Sequence, residues 1–421
     1  MIENIIGFSI RNRWIVFVAA IVLFIAGIFA VKNNPIDAIP DLSENQVIVF
    51  TEWMGRGPQI IEDQVTYPLV TNFQGIPGVK NIRGTSMFGM SFVYLIFDDD
   101  TDIYWARSRV LERLSYASKL LPEGVLPSLG PDGTGVGHIF WYTLDAKDYD
   151  LGELRALQDW YVKFALQNVQ GVSEVASFGG FQKQYQVTIH PNKLAYYKIP
   201  LMDVLKAIRA NNNDVGGRKI EVNDIGYIIR SQGYIKGIKD IEEIALATTN
   251  SIPLKIKDVA TVQMGSELRL GIFDENGNGE VVGGVVVMRY GENAEEVIKN
   301  VKEKIKEVEK GLPPGVKFKV AYDRNDLIQA TIATIKDALI EEIIVVSLVL
   351  FILLLHARSA LVVIITIPMS VLIGFILMNM FNVTSNIMSL AGIALAIGDL
   401  VDAGIVMVEN AFRSISEGEE V

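Results

Sequence analysis

The chain has no cysteine and only three histidines in 421 residues. Lack of cysteine excludes a disulfide framework and any C-x-x-C redox motif. His138, His190 and His356 have none of the paired spacing of a zinc site, and no H-E-x-x-H occurs. A nucleotide loop is missing too: GTGVG at 133–137 lacks the lysine and the strand-to-helix setting of a phosphate cradle, and reads as a flexible connector. Positive charge is scarce, with 38 Lys and Arg against 49 Asp and Glu. The formal charge of −11 argues against a nucleic-acid partner.

What the chain has in excess is apolar residues, half of the total, concentrated in four segments at 14–31, 338–355, 360–381 and 386–410. Each is near the length of one bilayer crossing. The first follows Arg11 and Arg13 but is longer than a signal-peptide core and lacks a clean cleavage site, so it reads as a retained helix. Arg11, Arg13, Arg358 and Arg413 place the N-terminus, the 356–359 turn and the end of the fourth segment in the cytoplasm. The residues from 32 to about 337 then form a soluble block outside, large enough to need no disulfides.

The fourth segment carries Asp399, Asp402 and Glu409. A central Asp costs about 2.5–3.5 kcal/mol on an insertion scale, so an intramembrane acid marks a functional site. At about 100° per residue, Asp402 and Glu409 lie about 20° apart and Asp399 about 60° from Asp402, all on one face. That face belongs inside a bundle, where Gly392, Gly398 and Gly404 let neighbours approach closely. Asp402 is the leading proton carrier, with Asp399 beside it. Glu409 is read either as a third relay member or as an interfacial acid at a helix end.

The outer block repeats itself. GIPGVKNIRG (75–84) is echoed by NVQGVSEVASFGG (168–180), and LPEGV (121–125) by LPPGV (312–316). Period-2 stretches such as SFVYLIF and 3.6-residue spacing in WARSRVLERLSYASKL give a βαββαβ order for each copy, the second interrupted by an insert. NNNDVGG and DENGNG in the insert read as exposed turns. The expected fold is therefore an α-helical transmembrane bundle of four helices plus an α+β domain of two ferredoxin-like repeats with an inserted subdomain. In numbers, a cytoplasmic start (1–13) leads to crossing one (14–31) and repeat one (32–131). Repeat two (132–180 and 280–323) is split by the insert (181–279). A linker helix (324–337) then precedes crossings at 338–355, 360–381 and 386–409 and a cytoplasmic end at 410–421.

That layout, with PIDAIPDLSENQVIV, EDQVTYPLVTN, TDIYWARSRVLERL, LGPDGTGVG, LQDWYVKF, IMSLAGIALAIG and VDAGIVMVENA, resembles the heavy-metal efflux branch of the resistance-nodulation-division exporters, of the CusA/CzcA type. The resemblance covers essentially the whole chain. It implies proton-driven export of a heavy-metal cation by a multi-pass inner-membrane homotrimer with its large domain in the periplasm. A periplasmic membrane-fusion adaptor and an outer-membrane channel would be its partners. The protein would then be a transporter and not an enzyme, with no resident cofactor; metal cation and protons are its substrates.

By the resemblance Asp402 falls on the relay acid, and Asp399 on the first acid of the pair in members that handle divalent ions. Copper and silver members resemble alanine there, with methionine next to it, where this chain has Leu400. Of their methionine positions Leu268 departs and Met388 is kept. Carboxylates suit harder divalent ions and thioethers soft monovalent ones, so a divalent cargo of the Zn/Co/Ni/Cd type is favoured. Met87 and Met90, in SMFGMS, are read either as soft-ion contacts or as flexible core packing. Members of the branch resemble two fused copies, so the chain is expected to be an N-terminal half: a fragment, a split gene product or a truncated chain. The primary metal site and the relay partners would then lie in the C-terminal half. An exporter of lipids or drugs with the same layout and a non-transporting membrane-anchored scaffold or sensor remain as alternatives.

Overall fold

The computed structural model describes residues 2–416 except 224, 232, 250, 251, 270, 355, 356 and 382, so His356 lies outside the described residues. It divides into two compact units, one of residues 1–143, 162–176 and 284–421, the other of residues 144–161 and 177–283.

In the first unit, strands β1 (Gln46–Glu52), β2 (Val79–Met87), β3 (Met90–Phe97) and β4 (Pro127–Leu129) form a sheet in the order β2-β3-β1-β4. All three pairings are antiparallel. Alternation sets the buried face: Val47, Val49 and Thr51 of β1 and Val93, Leu95 and Phe97 of β3 are fully covered. Against them pack Ile61, Val65, Leu69 and Phe73 of one helical segment and Ala106, Val110, Leu114 and Ala117 of Ile103–Ala117, at the spacing of an amphipathic helix. The first of those segments contains a π-helical turn at Glu62–Thr66. Pro68 offers no N–H to the Gln64 carbonyl, so a regular ladder cannot run through this point.

A second sheet contains β5 (His138–Asp145), β6 (Val172–Phe178), β13 (Val282–Met288) and β14 (Lys317–Asp323), in the order β14-β5-β13-β6. Counted within its copy, this is the same second-third-first-fourth order as the first sheet. Its first helix likewise carries a π-helical turn, Gln158–Val162, here without a proline. The six strands in between belong to the second unit. There β7 (Lys183–Ile189) pairs with β12 (Ala260–Ser266), and β8 (Val215–Val222) with β9 (Ile225–Ser231). A short hairpin joins β10 (Ala245–Thr249) to β11 (Ile252–Lys255). This unit also takes in helix Leu151–Leu157, outside the expected 181–279 insert. Lys183 of β7 ties it down through Asp150 at 3.1 Å and Glu153 at 3.5 Å. The expected turn NNNDVGG is only partly one, since Val215–Gly217 begin β8. DENGNG is a turn, closed by Gly277 N and Gly279 N donating to the Asp274 carboxylate at 2.7 and 3.0 Å.

Four long helices complete the first unit: α1 (Arg13–Asn33), α2 (Arg324–Leu354), α3 (Ala357–Met380) and α4 (Ile387–Ser416). Among the described residues, Arg13–Asn33 and Ile387–Gly404 are long and apolar enough to cross a membrane, while the apolar stretch Ile365–Met380 is shorter. The expected linker at 324–337 and the apolar run after it are one unbroken helix. α1 lies tightly on α3, where a Cβ added to Gly27 would stand 2.5 Å from Leu372 Cβ.

The connector between the repeats is pinned rather than flexible. A Cβ on Gly133 would stand 2.9 Å from the Met288 carbonyl oxygen, and one on Gly137 3.0 Å from it, so glycine serves close backbone approach here. Asp132 ties the connector to its surroundings. Its carboxylate accepts from Ser173 Oγ and from Tyr104 OH at 3.3 Å and lies 3.7 Å from Arg289 Nε. Arg107 donates to the carbonyls of Gly130 at 2.9 Å and Pro131 at 3.2 Å.

Burial pushes the Asp132 carboxyl up, but the Ser173 hydrogen bond, its own backbone amide, Arg289 and Arg107 outweigh burial and hold it below the usual range. The stability it contributes is therefore complete above about pH 4, its ordinary range, and is lost as pH falls through the lowered value. Asp132→Asn should destabilise the chain by about 1–3 kcal/mol at neutral pH and remove that acid-side loss. Thermal unfolding of the detergent-solubilised chain between pH 3 and 7 measures both. Superimposable curves for the two proteins would remove the carboxylate from this role.

Candidate functional site

The acid-bearing helix α4 starts from a built cap. Asn386 is buried, and its Oδ1 accepts from Met388 N at 3.0 Å and Ser389 N at 3.1 Å. The residues just before it are stitched to those just after α1. Ser385 N donates to the Pro35 carbonyl at 2.9 Å, and Asp37 N to the Ser385 carbonyl at 3.0 Å. Ile36 and Ser385 thereby form a parallel β-bridge. Asn34, 3% exposed, donates from Nδ2 to Ser385 Oγ at 2.8 Å and to the Val383 carbonyl at 3.1 Å.

The same short segment reaches the head of α2. Arg324 is the first residue of that helix, and its side chain is 3% exposed. Its Nε lies 2.9 Å from Asp37 Oδ1, and one of its terminal nitrogens donates to the Val136 carbonyl in the connector. Beside it, buried Asp323 pairs with Lys302 and accepts from Asn325 N at 2.9 Å. Burial raises the Asp37 carboxyl above its ordinary range. Arg324 and the amides of Ala38 and Ile39 offset that only in part, and Asp41 adds to it.

Along α4 the packed seam contains Leu390 and Ile397, at 7% and 1% exposure, with α2 and α3 as neighbours. Asp402 lies about 140° and Asp399 about 160° round the helix from Ile397, and both side chains are exposed. A Cβ on Gly392 or Gly398 would meet no atom within 4 Å. At Gly392 and Gly398, then, no neighbouring helix of this chain approaches, and Asp399 and Asp402 are not enclosed by the chain's own helices. α2 and α3 pack on a different stripe of α4. Glu409 belongs to the same helix, its side chain outside the described residues.

The sulfur candidates are dispersed. Met388 lies in the first turn of α4, 64% exposed, while Met87 and Met90 face each other across the β2–β3 hairpin. Met87 is 51% exposed, so core packing does not account for it. Among the described residues no three His, Asp or Glu form a metal cradle. Sequence reasoning missed Asn34, Asp37, Arg324 and Ser385. For Asn34, Asp37 and Ser385 the signal was present as polar residues in two short breaks beside apolar helices, NNPID and NVTSN, but pairing across about 350 positions has no local pattern.

A sheet order duplicated within one unit, beside four long helices of which an apolar one carries acids, defines the class of fold, and comparison with known proteins makes it specific. The chain belongs to the AcrB/AcrD/AcrF family, which matches residues 5–421. It is 49% identical over 420 residues to the cation efflux system protein CusA of Escherichia coli (strain K12) and 48% identical over 420 residues to the putative cation efflux system protein SilA of Salmonella typhimurium. With the cobalt-zinc-cadmium resistance protein CzcA of Cupriavidus metallidurans it shares 39% over 429 residues. These matches take in 99–100% of this chain, which spans 40% of the length of each relative. A heavy metal efflux pump solved by X-ray crystallography superposes with a TM-score of 0.86 at 34% identity, covering 97% of this chain and 41% of that one.

Since burial dominates at Asp37, the protonated form suits its site better than the carboxylate does. The stability this group contributes is complete below its unfolded value of about 4 and is lost as pH rises through the raised folded value. Asp37→Asn should accordingly cost less than about 1 kcal/mol at pH 7, whereas Arg324→Met strands a carboxylate and costs about 3 kcal/mol or more. The double variant should recover most of that loss. Unfolding of the three detergent-solubilised proteins tests the asymmetry; equal losses in both single variants would contradict it.

Proposed function

We propose that the chain is the N-terminal half of a proton-driven heavy-metal cation exporter. In this reading all four long helices cross the bacterial inner membrane and both β-rich units lie in the periplasm. A homotrimer works with a C-terminal half, a membrane-fusion adaptor and an outer-membrane channel. The observation that carries it is the position of Asp399 and Asp402, exposed on the stripe of α4 that the chain's own helices leave uncovered. An acid in hydrocarbon faces a bundle interior or a water-filled path. That stripe is where the second half packs, and it supplies the relay partners.

The mechanism follows from charge. A proton arriving from the periplasm neutralises Asp402, with Asp399 as its neighbour, and lowers the cost of moving or repacking this face. Each charge moved down 100 mV supplies about 2.3 kcal/mol, and a pH gradient adds to it. Displacement of α4 is felt outside because its first turn is hydrogen-bonded to residues 34–38, which meet Arg324 at the head of α2. Asp399 beside Leu400, where a soft-ion site calls for methionine, favours a divalent cargo. The relatives' names cover unspecified cations as well as cobalt, zinc and cadmium.

Asp402→Asn, in cells that carry this chain with the rest of the pump, should abolish metal resistance at unchanged protein level. Wild-type resistance in that variant would remove the relay. A metal-by-metal panel on the deletion strain names the ion: sensitivity to silver and copper alone would overturn the divalent assignment.

A further inference from the structure

The tip of the β2–β3 hairpin concentrates sulfur. Met87 and Met90 are cross-strand partners on either side of the Phe88–Gly89 turn, and Met90 is also the partner of Glu52 on β1. Glu52, Met90 and Met87 thus form a row across three strands, and directly opposed residues of a sheet share a face. Which face is fixed by the neighbours. Ser86 and Ser91, one step away, are hydrogen-bonded to Thr66 of the covering helical segment at 2.8 and 2.7 Å. Trp53, next to Glu52, packs into the core on that same side. Alternation then puts Glu52, Met87 and Met90 on the opposite, open face of the sheet.

A backbone clamp holds Met54 at the turn. Trp53 N donates to the Gly89 carbonyl at 2.8 Å, and Gly89 N to the Arg56 carbonyl at 2.9 Å. A Cβ on Gly89 would stand 2.8 Å from Met54 Sδ, so this third thioether rests on the very turn that joins the other two. Met54 is 44% and Met87 51% exposed, so neither side chain is sealed into the core. The Arg56 guanidinium is engaged 4.8 Å from the Trp53 ring centroid.

Thioethers are neutral, soft ligands. They compete poorly for Zn(II), Co(II) or Ca(II), whose preferred donors are imidazole, thiolate or oxygen, and well for Cu(I) and Ag(I). We infer that Met54, Met87 and Met90 form a soft monovalent-cation site, for Ag(I) or Cu(I), on the open face of the first sheet, with the Glu52 carboxylate as adjacent counter-charge. The site lies in the outer block, apart from α4, and does not rest on the transport reading. It makes that block a soft-ion binder whichever cation the membrane part carries.

The test is a titration of the full detergent-solubilised chain, labelled with 13C-methyl methionine, with silver nitrate in chloride-free buffer. The methyl signals of Met54, Met87 and Met90, assigned by single Met→Leu variants that nearly preserve volume, should shift together. Met202 and Met264, exposed but solitary, should stay still. Met54→Leu should weaken binding by about tenfold or more, a loss of about 1.4 kcal/mol or more. The triple leucine variant should abolish it, and Zn(II) at the same concentration should move none of the three. Silence of the three signals, an equal response of Met202 and Met264, or an unaltered titration in Met54→Leu would each overturn the site.

Discussion

The stitch between residues 34–38 and 383–387 is the constraint on which the rest of the first unit depends. Helices in lipid gain no hydrophobic free energy by meeting one another, so their register comes from packing and polar contacts. Here the polar contacts sit at the ends of α1 and α4, where a two-residue bridge and the Asn34 side chain join segments about 350 residues apart in sequence. Each hydrogen bond is worth about 1 kcal/mol net. Left unpaired, the buried groups would cost more than the bonds return, so the junction is specific beyond its strength. It also fixes where Asp37 stands, and with it the buried Arg324 that heads α2.

From that junction the connector extends the constraint into the sheets. Val136 accepts from Arg324, Gly133 and Gly137 lie against the backbone of β13, and Asp132 reaches Ser173 and Arg289. Residues 130–137 therefore touch both copies of the repeat. A sequence that looks like a loose linker is a clamp, because glycine permits not only flexibility but also the closest possible approach of two backbones. Asp132 is held ionised by its partners and Asp37 is burdened by its burial, so acidification acts oppositely on the two: it weakens the clamp and relieves the junction.

The periodic parts of this fold were legible in the sequence. SFVYLIF and WARSRVLERLSYASKL carry their burial in their spacing, and β3 and helix Ile103–Ala117 lie where that spacing puts them. The paired GVK and GVS landmarks foretold two sheets of one strand order. Tertiary pairing was not legible. Nothing local in NNPID says that Asn34 meets Ser385, and nothing in GTGVG says that its glycines are there for contact. The acids were found by composition, but which stripe of α4 is covered depends on α2 and α3, and the spacing of Gly392 and Gly398 pointed to a neighbour that this chain does not supply. Met54 was invisible beside Met87 and Met90 because only the hairpin clamp brings it to them.

Magnitudes decide what α4 can do in a bilayer. Ten Leu, Ile and Val residues between 387 and 409 contribute about 3–6 kcal/mol in favour of insertion, and two central aspartates oppose it by about 5–7 kcal/mol. The terms nearly cancel. A helix so balanced is not held across the membrane by its own apolar surface; α2 and α3 on one stripe and whatever covers Asp399 and Asp402 on the other must settle it. Neutralising one carboxylate removes up to about 3 kcal/mol of the opposition, more than the small difference between the two terms. Under the proposed relay, that near-cancellation is what would let a single proton bias the position of α4, and the hydrogen bonds at Asn34, Ser385 and Asn386 would carry the bias to residues 34–38.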